Sequence, residues 1–107
     1  MSFSKNLVTS LVAEELRAAN ASHRQFHSMH EGYAVLREEV DECQDEYDKM
    51  ILNVNDLWQA VKHDDSVVAM EKLKMIEATA IQLAAEAIQA AAMARKAKSV
   101  ATAEKQT

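Results

Sequence analysis

A dense run of acidic side chains between positions 38 and 48 is the feature of this 107-residue chain best suited to chemistry. Glu39, Glu42 and Glu46 in this run are spaced three and four residues apart, so on a helix they form a ridge on one face. Hard divalent cations such as Mg²⁺ bind several oxygen ligands that converge in this way. The run alone leaves two interpretations open, a magnesium site and an acidic helix face in contact with solvent.

A second polar stripe interrupts an apolar, alanine-rich segment near the C-terminus. Gln82, Glu86 and Gln89 lie there at positions i, i+4 and i+7. A buried carboxylate is costly unless it meets a cation, a basic side chain or water. A metal ion shared with Glu39 and Glu42 would meet this need. Two alternatives remain equally open, a position facing solvent and an ion pair, for which the candidates are Arg17, Arg24 or a lysine.

The residues around both stripes resemble a known family. Glu38-Glu39-Val40-Asp41-Glu42 is similar to the E-E-x-x-E motif of the MazG-like, all-α nucleoside triphosphate pyrophosphatases. The segments 30–36 and 86–95 look like the flanks of small MazG-like proteins common in phages and prophages, so the similarity covers 28–95. The motif occurs by chance in acidic helices, and its order with both flanks makes the resemblance more specific.

The resemblance implies an activity, a cofactor and a set of site residues. Water would attack the α-phosphorus of a nucleoside triphosphate or modified nucleotide, and pyrophosphate would leave. The ligands of Mg²⁺, or of Mn²⁺ in its place, are expected to be Glu39, Glu42, Glu86 and Gln89. The expected catalytic residues are Glu38, Glu39 and Glu42. The expected substrate contacts are His30, Tyr33 and Arg95.

Gln89 departs from the family pattern, which has an aspartate at this position of its second motif, E-x-x-D. The gap between the two motifs is also longer than is usual. An amide oxygen can bind magnesium, but it carries no charge and cannot act as a base. Two alternatives to the enzyme therefore stand beside it: a nucleotide-binding protein of the same fold that sequesters or senses its ligand, and a structural helical oligomer with solvated acids.

Six side chains outside the acidic stripes are also candidates for function. His23, His27 and His30 have metal-ligand spacing, but a helix start at Ser28 prevents them from sharing one regular face. They are expected to be loop residues near the substrate or surface histidines. A lone cysteine and two large side chains fall on the apolar stripe and are expected in the core, namely Cys43, Met50 and Trp58.

The helices that carry these residues are predicted from the spacing of apolar residues and from the residue types that begin or end a helix. The chain has no proline and a single glycine, which excludes a sheet of several strands. A first helix is predicted over 3–20 and a loop over 21–30, which ends in a capping box of Ser28 and Glu31. A second helix follows the apolar stripe from Tyr33 to Val61, and it is either continuous or kinked or broken near 53–56.

The third helix is predicted over 67–98, after a boundary at 62–66 that Asp65 or Ser66 caps. Between Ala78 and Ala94 it is apolar or small on nearly every side, which predicts a central helix surrounded by neighbours. Its expected last turn carries cations that suit the helix dipole, namely Arg95, Lys96 and Lys98. The tail 99–107 is expected to be frayed.

Composition bounds the fold and the partners. The predicted fold is one all-α domain over 1–107, an antiparallel bundle of three to four helices with its N-terminal helix and loop in 1–27 and its core helices in 28–98. Aromatic residues make up 5% of the chain and much of the apolar content is alanine, so a monomer would have a thin core and a homo-oligomer, dimer or tetramer, is expected. A net charge of −5 without a basic stripe argues against duplex nucleic acid. The absence of a long apolar run argues against a membrane span or signal peptide, so a cytoplasmic location is expected.

Overall fold

Three α-helices make up nearly all of residues 4–106, the part of the chain described by the computed structural model. Helix α1 spans Lys5–Ser22, α2 spans Met29–Lys62 and α3 spans Ser66–Gln106. No strand occurs within these residues, so the all-α fold class is confirmed. None of the three helices has an apolar stretch long enough to cross a membrane.

Helix α1 begins with a side-chain cap. The Leu7 N–H donates to Ser4 Oγ at 3.4 Å, which satisfies one of the amides that a helix start leaves without a partner. The helix ends where the His23 N–H donates to the Ala19 carbonyl at 2.9 Å. These bounds agree with the predicted helix within two residues, and position 3 lies outside the described residues.

The connection between α1 and α2 is shorter than predicted, because it occupies only 23–28. Half of the expected capping box is present, since the Glu31 N–H donates to Ser28 Oγ at 3.2 Å. The returning bond differs from the prediction. The Glu31 carboxylate accepts from the His27 N–H at 2.8 Å, one residue before Ser28, so it satisfies a loop amide as well as stabilising the helix start.

Helix α2 continues unbroken through the weak helix formers at 53–56, so a break at these residues, one of the options left open, does not occur. Asn53 Nδ2 donates to the Lys49 carbonyl at 3.1 Å, so its side chain bonds within the helix instead of breaking it. The helix then turns sharply over 63–65, where Asp64 adopts a left-handed φ of 52°. Asp65 Oδ1 accepts from the Val68 N–H at 3.1 Å, which confirms one of the two predicted caps for α3.

Helix α3 differs from the prediction in two respects. It continues to Gln106, so the expected end at Lys98 is wrong, and the cations at 95–98 lie inside the helix instead of in its last turn. It is also not surrounded by neighbours within one chain, because Ile81 is 66% exposed. Apolar residues on every side of α3 therefore did not indicate complete burial in the monomer.

The chain forms two compact units, made of Met1–Val40 with Glu86–Thr107 (unit 1) and of Asp41–Ala85 (unit 2). Unit 1 buries small side chains, among which Ala92 is fully inaccessible and Ala97 nearly so. A Cβ on Gly32 would lie 3.3 Å from Ala97 Cβ and 3.3 Å from Phe26 Cδ2. Glycine at this position therefore permits the close approach of α2 to α3 in unit 1.

Unit 2 is a helical hairpin with a sparse interior. Asn53, Ala60 and Thr79 are its buried residues. The hydroxyl of Thr79 donates to the Met75 carbonyl, so both buried polar side chains are satisfied by their own helices. The large apolar residues of the unit are mostly exposed. Trp58, which was predicted to be core, is 57% exposed, with Lys62 Nζ 5.6 Å from the ring centroid. Met50 and Cys43 are half-buried.

Candidate metal centre and adjoining cleft

Two carboxylates and one amide converge inside unit 1. Glu39 on α2 and Glu86 on α3 each place a carboxylate oxygen within 4.8 Å of the other. With its amide oriented by its hydrogen-bond partners, Gln89 Nε2 donates to Glu39 Oε2 and to Glu86 Oε2, at 3.2 Å each. The structure thus brings together three of the four predicted metal ligands and holds them with hydrogen bonds.

The fourth predicted ligand, Glu42, lies one turn further along α2. It belongs to unit 2, and its side chain is exposed. Glu38, which was predicted as catalytic, is also exposed and does not belong to the converging carboxylates. The spacing of three residues places Glu42 on the same face as Glu39, whereas adjacent residues such as Glu38 point about 100° away.

The chemistry of this donor set suits a hard divalent cation. Carboxylate and amide oxygens are the ligands that Mg²⁺ and Ca²⁺ take in proteins. Glu39 and Glu86 are half-buried, so their mutual repulsion is screened less than at an exposed surface. The Gln89 amide offsets part of that repulsion by donating to both, and a cation would offset it more fully.

The ion pairs considered as alternatives for Glu86 are made by other carboxylates. Arg17 pairs with Glu14 on α1. Arg24 pairs with Glu31 through two parallel hydrogen bonds, of 2.8 Å from Nη1 and 2.7 Å from Nη2. The bidentate geometry and the His27 N–H together lower the pKa of Glu31 to about 2. Each of these two arginines therefore already has a carboxylate partner.

A cleft of about 660 Å³ opens beside the acidic cluster, and all of its lining residues belong to unit 1. Glu39 and Gln89 form part of its wall. Apolar side chains line another part, and these include Phe26, Val35 and Met93. Further titratable side chains line the rest of the cleft, namely Glu15, His23, Arg24, Glu31 and Lys96. Acidic, apolar and basic surfaces thus border one cavity, whose volume lies in the range of small-molecule sites.

Lys96 is a cleft residue that the sequence did not reveal. Its side chain is only 4% exposed, and its Nζ lies 4.7 Å from the centroid of the Phe26 ring. In the sequence it was assigned only to the helix end. The available signal was its spacing, because Gln89, Met93 and Lys96 lie at i, i+4 and i+7 and all three line the cleft.

The predicted substrate contacts lie elsewhere. His30, Tyr33 and Arg95 are exposed, and none of them lines the cleft. Among the other histidines of the connection, His23 lines the cleft, whereas His27 lines a separate, smaller cavity of about 430 Å³. His30 and Tyr33 therefore lie near the acidic motif in sequence without lining the cavity.

Comparison with known proteins identifies no relative of this chain. No protein-family model matches the chain, and neither the curated proteins nor the solved structures contain a match. The resemblance to the MazG-like family therefore rests on the motif residues of this chain.

Proposed function

We propose that the protein is a magnesium-dependent nucleotide pyrophosphohydrolase, which releases pyrophosphate from a nucleoside triphosphate or a modified nucleotide. The observation that supports this proposal is the cluster of Glu39, Glu86 and Gln89, of which Glu39 and Gln89 line a cleft of about 660 Å³. Lys96 lines the same cleft. A metal-binding group and a cationic group on one cavity match the two needs of a polyphosphate substrate, a divalent cation and a positive contact.

The metal ligands in this proposal are Glu39, Glu42 and Glu86, with the Gln89 side chain turning its amide oxygen inward. Mg²⁺ held there, or Mn²⁺ in its place, would neutralise phosphate charge and lower the pKa of the attacking water. The chain's own residues bind and orient the substrate. Phe26, Val35 and Met93 offer an apolar surface for a base, and Lys96 offers a positive charge for phosphate.

A second candidate is a nucleotide-binding protein of the same fold that does not turn its ligand over. The observation that favours it is Gln89, which donates to both carboxylates at 3.2 Å and carries no charge. An amide cannot accept a proton from water, so the cluster has one base fewer than a set of four carboxylates. This candidate predicts affinity for a nucleotide and no product.

We also propose that the chain works as a homo-oligomer, a dimer or tetramer, in which association completes the helical bundle. Unit 2 leaves large apolar side chains exposed, including Leu52 at 64%, Trp58 at 57% and Ile81 at 66%. Contiguous exposed apolar residues are typical of a surface that packs against another protein surface. If neither metal nor nucleotide binds, this association is what remains, and the protein is a structural oligomer.

The decisive experiment is a panel of nucleotides incubated with Mg²⁺, with product separated by chromatography and bound ligand detected by thermal shift. The matched variants are Glu39→Gln and Glu77→Gln, which remove the same charge, the first at the acidic cluster and the second at an exposed position of α3. Only Glu39→Gln should reduce pyrophosphate release, by more than about a hundredfold, because removing a direct ligand costs more than disturbing its surroundings. Binding without product supports the second candidate, and equal loss in both variants contradicts the assigned metal ligands.

A further inference from the structure

Lys96 is the most buried charged side chain that the structure records. The recorded contact of its ammonium offsets only part of the free-energy cost of burying the charge. Transfer of an ammonium out of water is costly unless an anion or several hydrogen bonds replace the hydration. The recorded contact is the Phe26 ring at 4.7 Å, a cation–π geometry that offsets a fraction of this cost. Among the described side chains, no carboxylate lies within ion-pair distance of Lys96.

The position of Lys96 directs its charge to the cleft. It lines the cavity together with Gln89, seven residues earlier on α3 and about 10 Å away along the helix axis. The acidic cluster and the buried ammonium therefore stand two helical turns apart on one cavity wall. The arginine that lines the cleft, Arg24, donates two hydrogen bonds to Glu31, whereas Lys96 has no such carboxylate partner among the described side chains.

We propose that Lys96 binds the phosphate chain of the ligand, at the end remote from the acidic cluster, and that it makes the cleft select polyphosphates over nucleosides. The nucleotide identity of the ligand rests on the proposed function, but the phosphate contact does not. The Phe26 ring offsets part of the desolvation cost of the Lys96 ammonium, and a bound anion would offset the rest. A charge-assisted hydrogen bond from a buried ammonium is also stronger than one in water.

Phe26 acts in this proposal as a positioning residue. Its ring lies under the ammonium, and its Cδ2 atom lies 3.3 Å from where a Cβ on Gly32 would stand. The close packing of Gly32 against this ring fixes where the ring lies, and the ring in turn fixes the ammonium. Neither residue needs to touch phosphate for its replacement to weaken the phosphate contact.

The test measures binding of inorganic triphosphate and of an uncharged nucleoside by calorimetry in MgCl₂, with the full chain. Lys96→Met should weaken triphosphate binding by about tenfold to a hundredfold, the loss expected for one charge-assisted hydrogen bond. Nucleoside affinity should stay within about twofold. The control is Lys98→Met, an exposed position on the same helix, which should change neither affinity by more than about twofold.

A second measurement uses the unaltered protein, so that it does not depend on the folding of a variant. The Lys96 Cε–Hε cross-peak in NMR spectra should move on addition of inorganic triphosphate, while that of Lys98 should not. Equal affinities in the two methionine variants, an unmoved Lys96 signal, or no triphosphate binding by the unaltered protein each overturn the proposal.

The outcomes also separate this proposal from the proposed function. Lys96-dependent triphosphate binding without hydrolysis of any nucleotide leaves the phosphate contact standing and removes the enzyme. Hydrolysis that Lys96→Met leaves unchanged in both kcat and KM removes the contact and leaves the enzyme. If both hold, Lys96→Met should raise KM more than it lowers kcat, because its contact is made on substrate binding.

Discussion

Gln89 donates from one amide nitrogen to the carboxylates of Glu39 and Glu86, at 3.2 Å each, and so holds together the two acidic residues that lie on different helices. An isosteric replacement, Gln89→Glu, would set a third carboxylate against these two. Without metal, the loss of both hydrogen bonds and the added repulsion should destabilise the fold by about 1–3 kcal/mol. Magnesium should then stabilise the variant more than the unaltered protein, because the site gains a charged ligand.

Thermal unfolding with and without MgCl₂ measures this difference. The control is Gln59→Glu, because Gln59 is exposed on α2 and this substitution adds the same charge away from the cluster. A magnesium response that is equal in the two variants would show that Gln89 does not border a metal site.

The Arg24–Glu31 pair predicts a specific pH dependence of stability. The pKa of Glu31 is lowered to about 2 by Arg24 and by the His27 N–H, so the folded state favours the ionised carboxylate. This contribution is fully present above the ordinary pKa of 4.5, and it is lost as the pH falls from there towards 2. Urea unfolding between pH 6 and pH 2 should therefore show a decline that Glu31→Gln reduces.

Glu14→Gln provides the comparison for this measurement. Arg17 also lowers the pKa of Glu14, but this exposed pair is local to α1 and Glu14 has no recorded backbone donor. Its replacement should flatten the pH profile less than Glu31→Gln does. An equal or larger effect of Glu14→Gln would mean that the Arg24–Glu31 pair contributes no more to the free energy of unfolding than an exposed ion pair within one helix does.

The comparison of sequence and structure shows which inferences rest on local physics. The caps at Ser28 and Asp65 were predictable because each is a contact between a side chain and a backbone amide three residues away. Glu86 and Gln89 were identifiable because polar residues interrupt an apolar segment at helical spacing. The structure confirms that Gln89 lies against Glu86.

The cleft was not predictable in the same way. Its walls come from α1, the connection and two other helices, and their relative placement depends on packing at Gly32 and Ala97. The expected substrate contacts followed from a resemblance in sequence, which does not fix how each helix is rotated, and His30, Tyr33 and Arg95 are exposed. The burial of Lys96 was not predictable from a helix end at Lys98, because α3 continues for eight more residues, to Gln106.

Gly32 should tolerate no branched side chain. A Cβ there already meets Ala97 Cβ and Phe26 Cδ2 at 3.3 Å, so the additional methyl groups of Gly32→Val need space that the packing does not offer. Overpacking of this kind costs about 1–3 kcal/mol. Urea unfolding should show this loss, and triphosphate binding should weaken as well because Phe26 is displaced from Lys96.

The matched control is Ala34→Val, two residues along the same helix at an exposed position. It introduces the same β-branched side chain into α2 without a close neighbour, so its cost should be limited to about 0.5 kcal/mol of helix propensity. If both variants unfold at the same urea concentration, close packing at Gly32 does not contribute to stability.

Association of the chain should depend on the exposed apolar residues of unit 2. Leu52 is 64% exposed on α2 and Ile81 is 66% exposed on α3, and the unit has no large apolar side chain that is fully buried among the described residues. A hairpin of two helices rarely holds itself together without burying such residues against another surface. Sedimentation velocity should therefore show a dimer or tetramer for the unaltered protein, and smaller species for Leu52→Lys and Ile81→Lys, because a lysine there would place a charge in the interface.

The control is Ala78→Lys, which adds the same charge at an exposed position of α3 that carries a small side chain, so it tests whether charge alone causes dissociation. A monomer in the unaltered protein at micromolar concentration would contradict the proposed assembly, and the apolar residues of unit 2 would then need another partner.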